Sequence, residues 1–227
     1  MLAPDQLLIA GAQDLGIRLS PDRVGTFRLY RDEILRWSER MNLTALTTPT
    51  DIVREGFLDS LACLAMFPNG ARSVLDVGSG AGFPAIPLAI VRDEMDFTLV
   101  EASRKKSTFL KHIVRTLDLK RVRVWHGRAQ AFTGGPPAGA AYDVAFARAV
   151  APLFEQASLV SSFLRTGGMF VAQLGADGPP ARVQLSLKEI GYQLAGEFRV
   201  PSWCGGVGRR ILSFRWVGRR GGDECFT

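Results

Sequence analysis

Apolar positions in the first 70 residues recur every three or four residues. Val24, Phe27, Tyr30, Ile34 and Trp37 fall on one face of a helix. Ser20-Pro21 opens that helix, because serine can cap free backbone N–H groups and proline is already shaped for a first turn. The pattern runs out near Asn42. A shorter apolar-rich helix precedes it over Pro4–Leu15 and closes at Gly16. Thr48-Pro49 opens a third, predicted to run to about Phe67, where Pro68-Asn69-Gly70 stops it.

From Arg72 the periodicity changes. Strand-like runs over Ser73–Val77, Phe97–Glu101, Val122–His126, Tyr142–Phe146 and Met169–Leu174 alternate with helical stretches. Those stretches are Pro84–Arg92, Arg104–Leu117, Pro152–Leu164 and Ala181–Ile190. Such alternation predicts an α/β fold, a mostly parallel sheet with helices on both faces. Tyr192–Val200 and Ile211–Val217 also read as strands, and Gly205-Gly206 and Gly208 between them allow an antiparallel hairpin. Leu212, Phe214 and Trp216 would then share one face, with Ser213 and Arg215 on the other. Gly134-Gly135-Pro136-Pro137 and residues 175–180 read as loops. The expected organisation is a helical extension over 1–70, an α/β domain over 71–218 and a loose basic tail over 219–227.

Composition narrows the class. A chain of 227 residues, 47% hydrophobic, has enough apolar material for one sizeable core. The net charge is +6, carried by 23 Arg and only 5 Lys. Arginine's planar fork of donors suits phosphates and guanine edges. A GC-rich genome would produce the same bias, so the count alone points to nucleic acid only weakly. Cys63, Cys204 and Cys225 are odd in number and irregular in spacing, which fits neither a disulfide framework nor a zinc site. Free thiols in a reducing cytoplasm are expected, with no metal. The start is not a charged segment leading into an apolar run, and no window is apolar enough to span a bilayer.

The chemistry concentrates after the first strand, in Asp76-Val77-Gly78-Ser79-Gly80-Ala81-Gly82-Phe83. A glycine-rich turn between strand and helix lets a ligand lie against bare backbone. The dinucleotide fingerprint G-x-G-x-x-G would need glycine where this chain has Phe83. Asp76, two places before Gly78, suits the ammonium of an amino acid–nucleoside, reached through water. Together these point to S-adenosylmethionine rather than a nicotinamide cofactor. Glu101 ends the second strand, 19 residues after Gly82, where a carboxylate accepts from both ribose hydroxyls. A surface glutamate capping the next helix is the alternative.

Ala129 and Gln130, in the loop after the third strand, either flank an adenine or simply begin a helix. Arg148 follows the fourth strand, at the carboxyl edge where open α/β sheets bind ligands; pairing with a structural carboxylate is the alternative. The two histidines, His112 and His126, read as helix-surface and strand-end residues.

Several separated motifs, in order, resemble the RsmG (GidB) family of 16S ribosomal RNA guanine-N7 methyltransferases. They are Asn42-Leu43-Thr44, Phe57-Leu58-Asp59-Ser60-Leu61, the run from Asp76 to Pro87, Lys105-Lys106 with Phe109-Leu110, Arg128-Ala129-Gln130, Arg148-Ala149-Val150-Ala151 and Gly167-Gly168. The resemblance implies a class I methyltransferase fold with a seven-stranded sheet and a terminal antiparallel hairpin. It implies cofactor contacts at Gly78, Phe83, Ala129, Gln130 and Arg148, beside Asp76, Gly80, Gly82 and Glu101 from the loop reading. It also implies that 16S rRNA, or the small ribosomal subunit, is the substrate, methylated at guanine 527. Departures are Gly56 for the usual histidine, Ala85 for glycine, Gln130 for glutamate and Ala147 for serine.

Guanine N7 carries a free lone pair, so methyl transfer to it needs alignment more than a general base. Arg148 and Asn42 are expected to line the substrate side. Arg54, Arg104, Lys105, Lys106, Arg209 and Arg210, with the tail's Arg219 and Arg220, are the expected RNA contacts. A monomer is expected. Rival readings are a methyltransferase of the same fold with another substrate, a non-catalytic RNA-binding protein, and a nicotinamide oxidoreductase.

Overall fold

Ser20 caps its helix as the sequence suggests: its hydroxyl accepts from Arg23 N, and α2 (Pro21–Ser38) follows. In the computed structural model, which describes residues 2–135, 141–147, 152–179, 181–201 and 208–218, α2 buries Val24, Phe27, Tyr30 and Ile34 along one stripe. Before it, α1 (Pro4–Asp14) buries Leu7, Leu8 and Ala12.

The third predicted helix is a composite. Its parts are an α turn at Pro49–Asp51 (α3), a π-helical stretch at Ile52–Leu58, an α turn at Asp59–Ala62 (α4) and a 3-10 turn at Cys63–Met66. In the wide stretch Asp59 N donates five residues back, to Arg54 O. Gly56 lies inside it, and a Cβ there would come within 2.6 Å of the Phe83 ring. The absence of a side chain lets that ring pack against the helix backbone.

The sheet has seven strands: β1 (Ser73–Val77), β2 (Asp96–Glu101), β3 (Val122–His126), β4 (Tyr142–Ala147), β5 (Leu164–Leu174), β6 (Tyr192–Arg199) and β7 (Arg210–Trp216). Their order is β3-β2-β1-β4-β5-β7-β6. Strands β1 to β5 are parallel, and β7 is antiparallel to both β5 and β6. This is the expected α/β architecture with its terminal hairpin. Gly205-Gly206 lies outside the described residues.

Alternate strand residues feed two apolar layers, as a period of two requires. Val74, Phe97, Leu99, Val144 and Phe146 face one layer together with residues of α1, α2, α5 (Ala85–Val91) and α6 (Arg104–Thr116). Leu75, Val77, Val100, Ala145, Leu212, Phe214 and Trp216 face the other, under α7 (Leu153–Ser161) and α8 (Ala181–Glu189). Leu8, Phe27 and Ile34 of the extension share the first layer with the strands, so extension and sheet have one continuous interior there.

Two boundaries differ from the pattern. α7 ends at Ser161, and β5 starts at Leu164 rather than Met169. Leu164 pairs with Tyr142 while Met169 pairs with Val144, so β5 bulges between them, with Gly167 at φ +82°. The local composition of that bulge resembles a helix end, and only pairing with β4 makes it strand.

The bulge brings Arg165 Nε to 2.5 Å from Asp143 Oδ1, while Oδ2 accepts from Arg72 N, Ser73 N and Ser73 Oγ at 2.8–3.0 Å. One carboxylate thus ties β1, β4 and β5 together. Burial pushes its pKa up, but these donors outweigh burial and hold the pKa below the ordinary aspartate value. A depressed carboxylate pKa gives stability that is present above about pH 4 and lost as pH falls through the folded value. Asp143→Asn is therefore expected to cost about 1–3 kcal/mol near pH 7. Urea melts across pH should show that deficit shrink below about pH 4.

His112 departs from the surface reading. It joins Glu33 Oε2 of α2 at 2.6 Å, and Trp37 lies over its ring at 5.3 Å. It helps lock the extension onto α6.

Candidate cofactor and substrate clefts

The glycine turn follows directly from β1. Gly80 and Gly82 have φ of +59° and +97°, a region that favours glycine over any residue with a side chain. At Gly82 a Cβ would also come 2.6 Å from both Ile86 Cγ1 and the Tyr30 hydroxyl oxygen. That hydroxyl donates to Ala81 O at 2.5 Å, and the Tyr30 ring packs against Phe57 and Phe83 at 5.3 and 5.9 Å. A core residue of the extension thus holds the turn in shape. Tyr30→Phe keeps the ring and removes one hydrogen bond, worth about 1 kcal/mol. S-adenosylmethionine binding measured by calorimetry is expected to weaken about fivefold. A fall in melting temperature with unchanged affinity would show Tyr30 to be only a packing residue.

Asp76 is fully buried beneath this turn. Glu101 is 7% exposed and bridges two elements: Oε2 accepts from Gly80 N at 2.8 Å and Oε1 from Ser103 N at 2.7 Å. Ser103 caps α6, so the helix-capping alternative describes part of what Glu101 does. Each carboxylate oxygen has two lone pairs, so both can still accept a ribose hydroxyl.

Beside the turn lies a cleft of about 760 Å³ lined by Val77, Gly78, Gly80, Val100, Glu101, Ala129 and Gln130. Its volume suits a nucleoside-sized ligand. Phe154, Glu155, Ser158 and Leu159 of α7 form a further part of its wall. Local sequence gives no signal for these four; topology places the helix after β4 across the carboxyl edge of the sheet.

A second cleft of about 540 Å³ shares Gly78, Gly80 and Lys106 with the first. Leu43, Thr44, Asp59, Phe83, Ala147, Gln173 and Arg209 line it. Asp59 is nearly buried, and Arg209 Nη1 stands 3.2 Å from its Oδ2. Arg209 Nη2 reaches Glu55 Oε2 at 2.8 Å, and Gln173 Nε2 donates to Asp59 Oδ2 at 3.0 Å. The Asp59 motif was visible in the sequence without a role, and Gln173 carried no signal.

The remaining expected residues divide. Gly82 and Asp76 support the turn without lining either cleft, and Phe83 lines the second rather than the first. Asn42 is exposed and borders a third cleft with Arg40, Lys105 and Lys106. Arg104 and Lys105 are exposed at the start of α6, and Lys106 borders all three clefts. Arg54 is half-buried, and its Nε has no hydrogen-bond partner among the described residues. Arg210 pairs with Glu197 at 3.4 Å. Arg148, Arg219 and Arg220 lie outside the described residues.

Residues 23–184 match the family model described as rRNA small subunit methyltransferase G, GidB. The chain belongs to this methyltransferase family. Ribosomal RNA small subunit methyltransferase G of Roseiflexus castenholzii is 38% identical over 191 residues, 83% of this chain and 82% of the relative. The protein of the same name from Deinococcus deserti is 43% identical over 177 residues, 77% of this chain and 71% of the relative. Among solved structures, M. jannaschii TYW2 in complex with AdoMet aligns at a TM-score of 0.55 and 15% identity, covering 72% of this chain and 77% of that one. The [4+2]-cyclase SpnF aligns at 0.56 and 17% identity, covering 86% and 95%. These two likenesses show the class I methyltransferase fold alone, since a shared fold does not fix the chemistry.

The residues present fit the family's cofactor. Gly80, which lines the cleft, has no side chain to project into it, and Glu101 supplies the buried acceptor a ribose requires. Ala129 and the apolar Val77, Val100 and Leu159 give a slot for a flat base, with Gln130 exposed at its edge.

Proposed function

We propose that this protein transfers the methyl group of S-adenosylmethionine to N7 of a guanine in 16S rRNA, guanine 527 by the family resemblance. The observation that carries this reading is the joined pair of clefts: one of nucleoside-accommodating size lined by Glu101, sharing Gly78, Gly80 and Lys106 with a polar one. When bound, the cofactor supplies a methyl group activated by a positive sulfur. The chain's task is to hold guanine in line with it, which is catalysis by orientation. N7 has no proton to lose, so no residue has to act as a base. Asn42 and Arg148 are assigned to the substrate side. In support, Arg148 directly follows Ala147, which lines the second cleft, and Asn42 directly precedes Leu43, which does the same.

Charge placement supports an RNA substrate. Many arginines far from the clefts are neutralised: Arg28 and Arg31 pair with Asp5, Arg121 with Asp96 and Arg165 with Asp143. Arg40, Arg104, Lys105 and Lys106, which flank the clefts or the start of α6, have no ion pair among the described residues; Arg18, Arg72, Arg123 and Arg215 elsewhere have none either, so it is their place beside the clefts that sets the first four apart. Cations left open beside a site are available to phosphates, and RNA affinity should then fall steeply with salt. The enzyme acts in the cytoplasm, as a monomer, on 16S rRNA or the assembling small subunit.

The test is to map N7-methylguanine in rRNA from cells lacking this gene. Loss of the mark at guanine 527, restored by the gene, is expected. An unchanged mark would refute the assignment while leaving family membership intact.

A further inference from the structure

We propose that Asp59 is the residue that selects guanine, by accepting hydrogen bonds from its N1–H and N2 amino group within the second cleft. This rests on the proposed function and adds the basis of base selection to it. Asp59 belongs to a sequence motif, Phe57-Leu58-Asp59-Ser60-Leu61, that cofactor binding leaves without a use.

Asp59 differs from the structural carboxylate Asp143 in bordering a cleft. Its side chain is 4% exposed yet borders a cleft of about 540 Å³ next to the cofactor turn. It is held from three separate parts of the fold. The π-helical stretch leads into it, Gln173 at the end of β5 donates to both its main-chain oxygen and Oδ2 at 3.0 Å, and Arg209 before β7 stands 3.2 Å from Oδ2. Burying a carboxylate is costly unless it is paired, and the donors from Gln173 and Arg209 offset that cost and fix its direction.

A fixed carboxylate in a polar cleft discriminates among bases by chemistry alone. Guanine presents two adjacent donors, N1–H and N2–H, that match two carboxylate lone pairs. Adenine presents a bare N1 acceptor at the same place, which the carboxylate repels. Arg209, one-third exposed, and Thr44 border the same cavity and supply donors suited to O6. N7 lies on the opposite side of the purine from N2. A guanine held by its N1–N2 edge therefore turns N7 away from Asp59, within a cavity whose rim includes Gly78 and Gly80.

The test uses the full-length protein and unmethylated small-subunit RNA carrying either guanine or inosine at the target. Inosine keeps N7, N1–H and O6 but lacks the N2 amino group. The unaltered enzyme is expected to methylate guanine about 10-fold or more efficiently than inosine, measured as kcat/KM. Asp59→Asn is expected to lower kcat/KM for guanine about 10- to 100-fold and to reduce the guanine preference to within about twofold, with S-adenosylmethionine affinity unchanged. Should Asp59→Asn fail to fold, the inosine comparison on the unaltered enzyme still decides: equal rates on both bases overturn the proposal. A folded Asp59→Asn protein that keeps the guanine preference also overturns it. If the unaltered enzyme methylates neither RNA, the proposed function itself has failed, and that outcome is distinct from a loss of selectivity.

Discussion

Replacing Glu101 with alanine is expected to weaken S-adenosylmethionine binding about 100-fold or more and leave a folded protein. The carboxylate serves two purposes at once. It accepts from Gly80 N and Ser103 N, which fixes the glycine turn against the start of α6, and it faces the first cleft with lone pairs to spare. Hydrogen bonds to a charged group contribute about 1.5–3 kcal/mol each, so two lost ribose contacts account for the expected loss. The isosteric Glu101→Gln keeps acceptor capacity on one atom only and should fall between. Calorimetric titration with circular dichroism as a fold control checks both. Affinity within about threefold of the unaltered protein in the alanine variant would remove Glu101 from the cofactor site.

The second large effect is expected at Gly82. Alanine there faces a left-handed φ of +97° and a Cβ placed 2.6 Å from both Ile86 Cγ1 and the Tyr30 hydroxyl. Strain and overpacking in a buried turn cost about 1–3 kcal/mol each. Gly82→Ala is therefore expected to lower stability by about 3 kcal/mol in urea melts and to cut cofactor affinity more than 10-fold. Combining it with Tyr30→Phe should recover part of the loss, because removing the hydroxyl opens space on one side of the new methyl group. A strictly additive double variant would mean the two residues do not press on each other.

Much of this architecture was legible because its causes are local. The period-two alternation in Ser73–Val77 and Phe97–Glu101 separates two apolar layers, and the structure keeps that separation. Leu212, Phe214 and Trp216 share one layer as their spacing requires. The glycine turn was legible because few backbones need three glycines at alternate positions after a strand. What escaped depends on partners distant in sequence. The first five residues of β5 become strand only by pairing with β4, and the π-helical stretch forms where Gly56 meets Phe83. His112 is drawn off the surface by Glu33, 79 residues earlier. Asp59, Gln173 and Arg209 converge from three elements, and no spacing rule in the chain announces that meeting.

Purified full-length protein, incubated with methyl-labelled S-adenosylmethionine and small ribosomal subunits from cells lacking the gene, tests the central claim most directly. The label is expected in 16S rRNA as N7-methylguanine, at guanine 527, and in no other nucleoside. Label recovered in ribosomal protein or at another atom of the RNA, or no transfer to RNA by protein that binds the cofactor, would contradict the account.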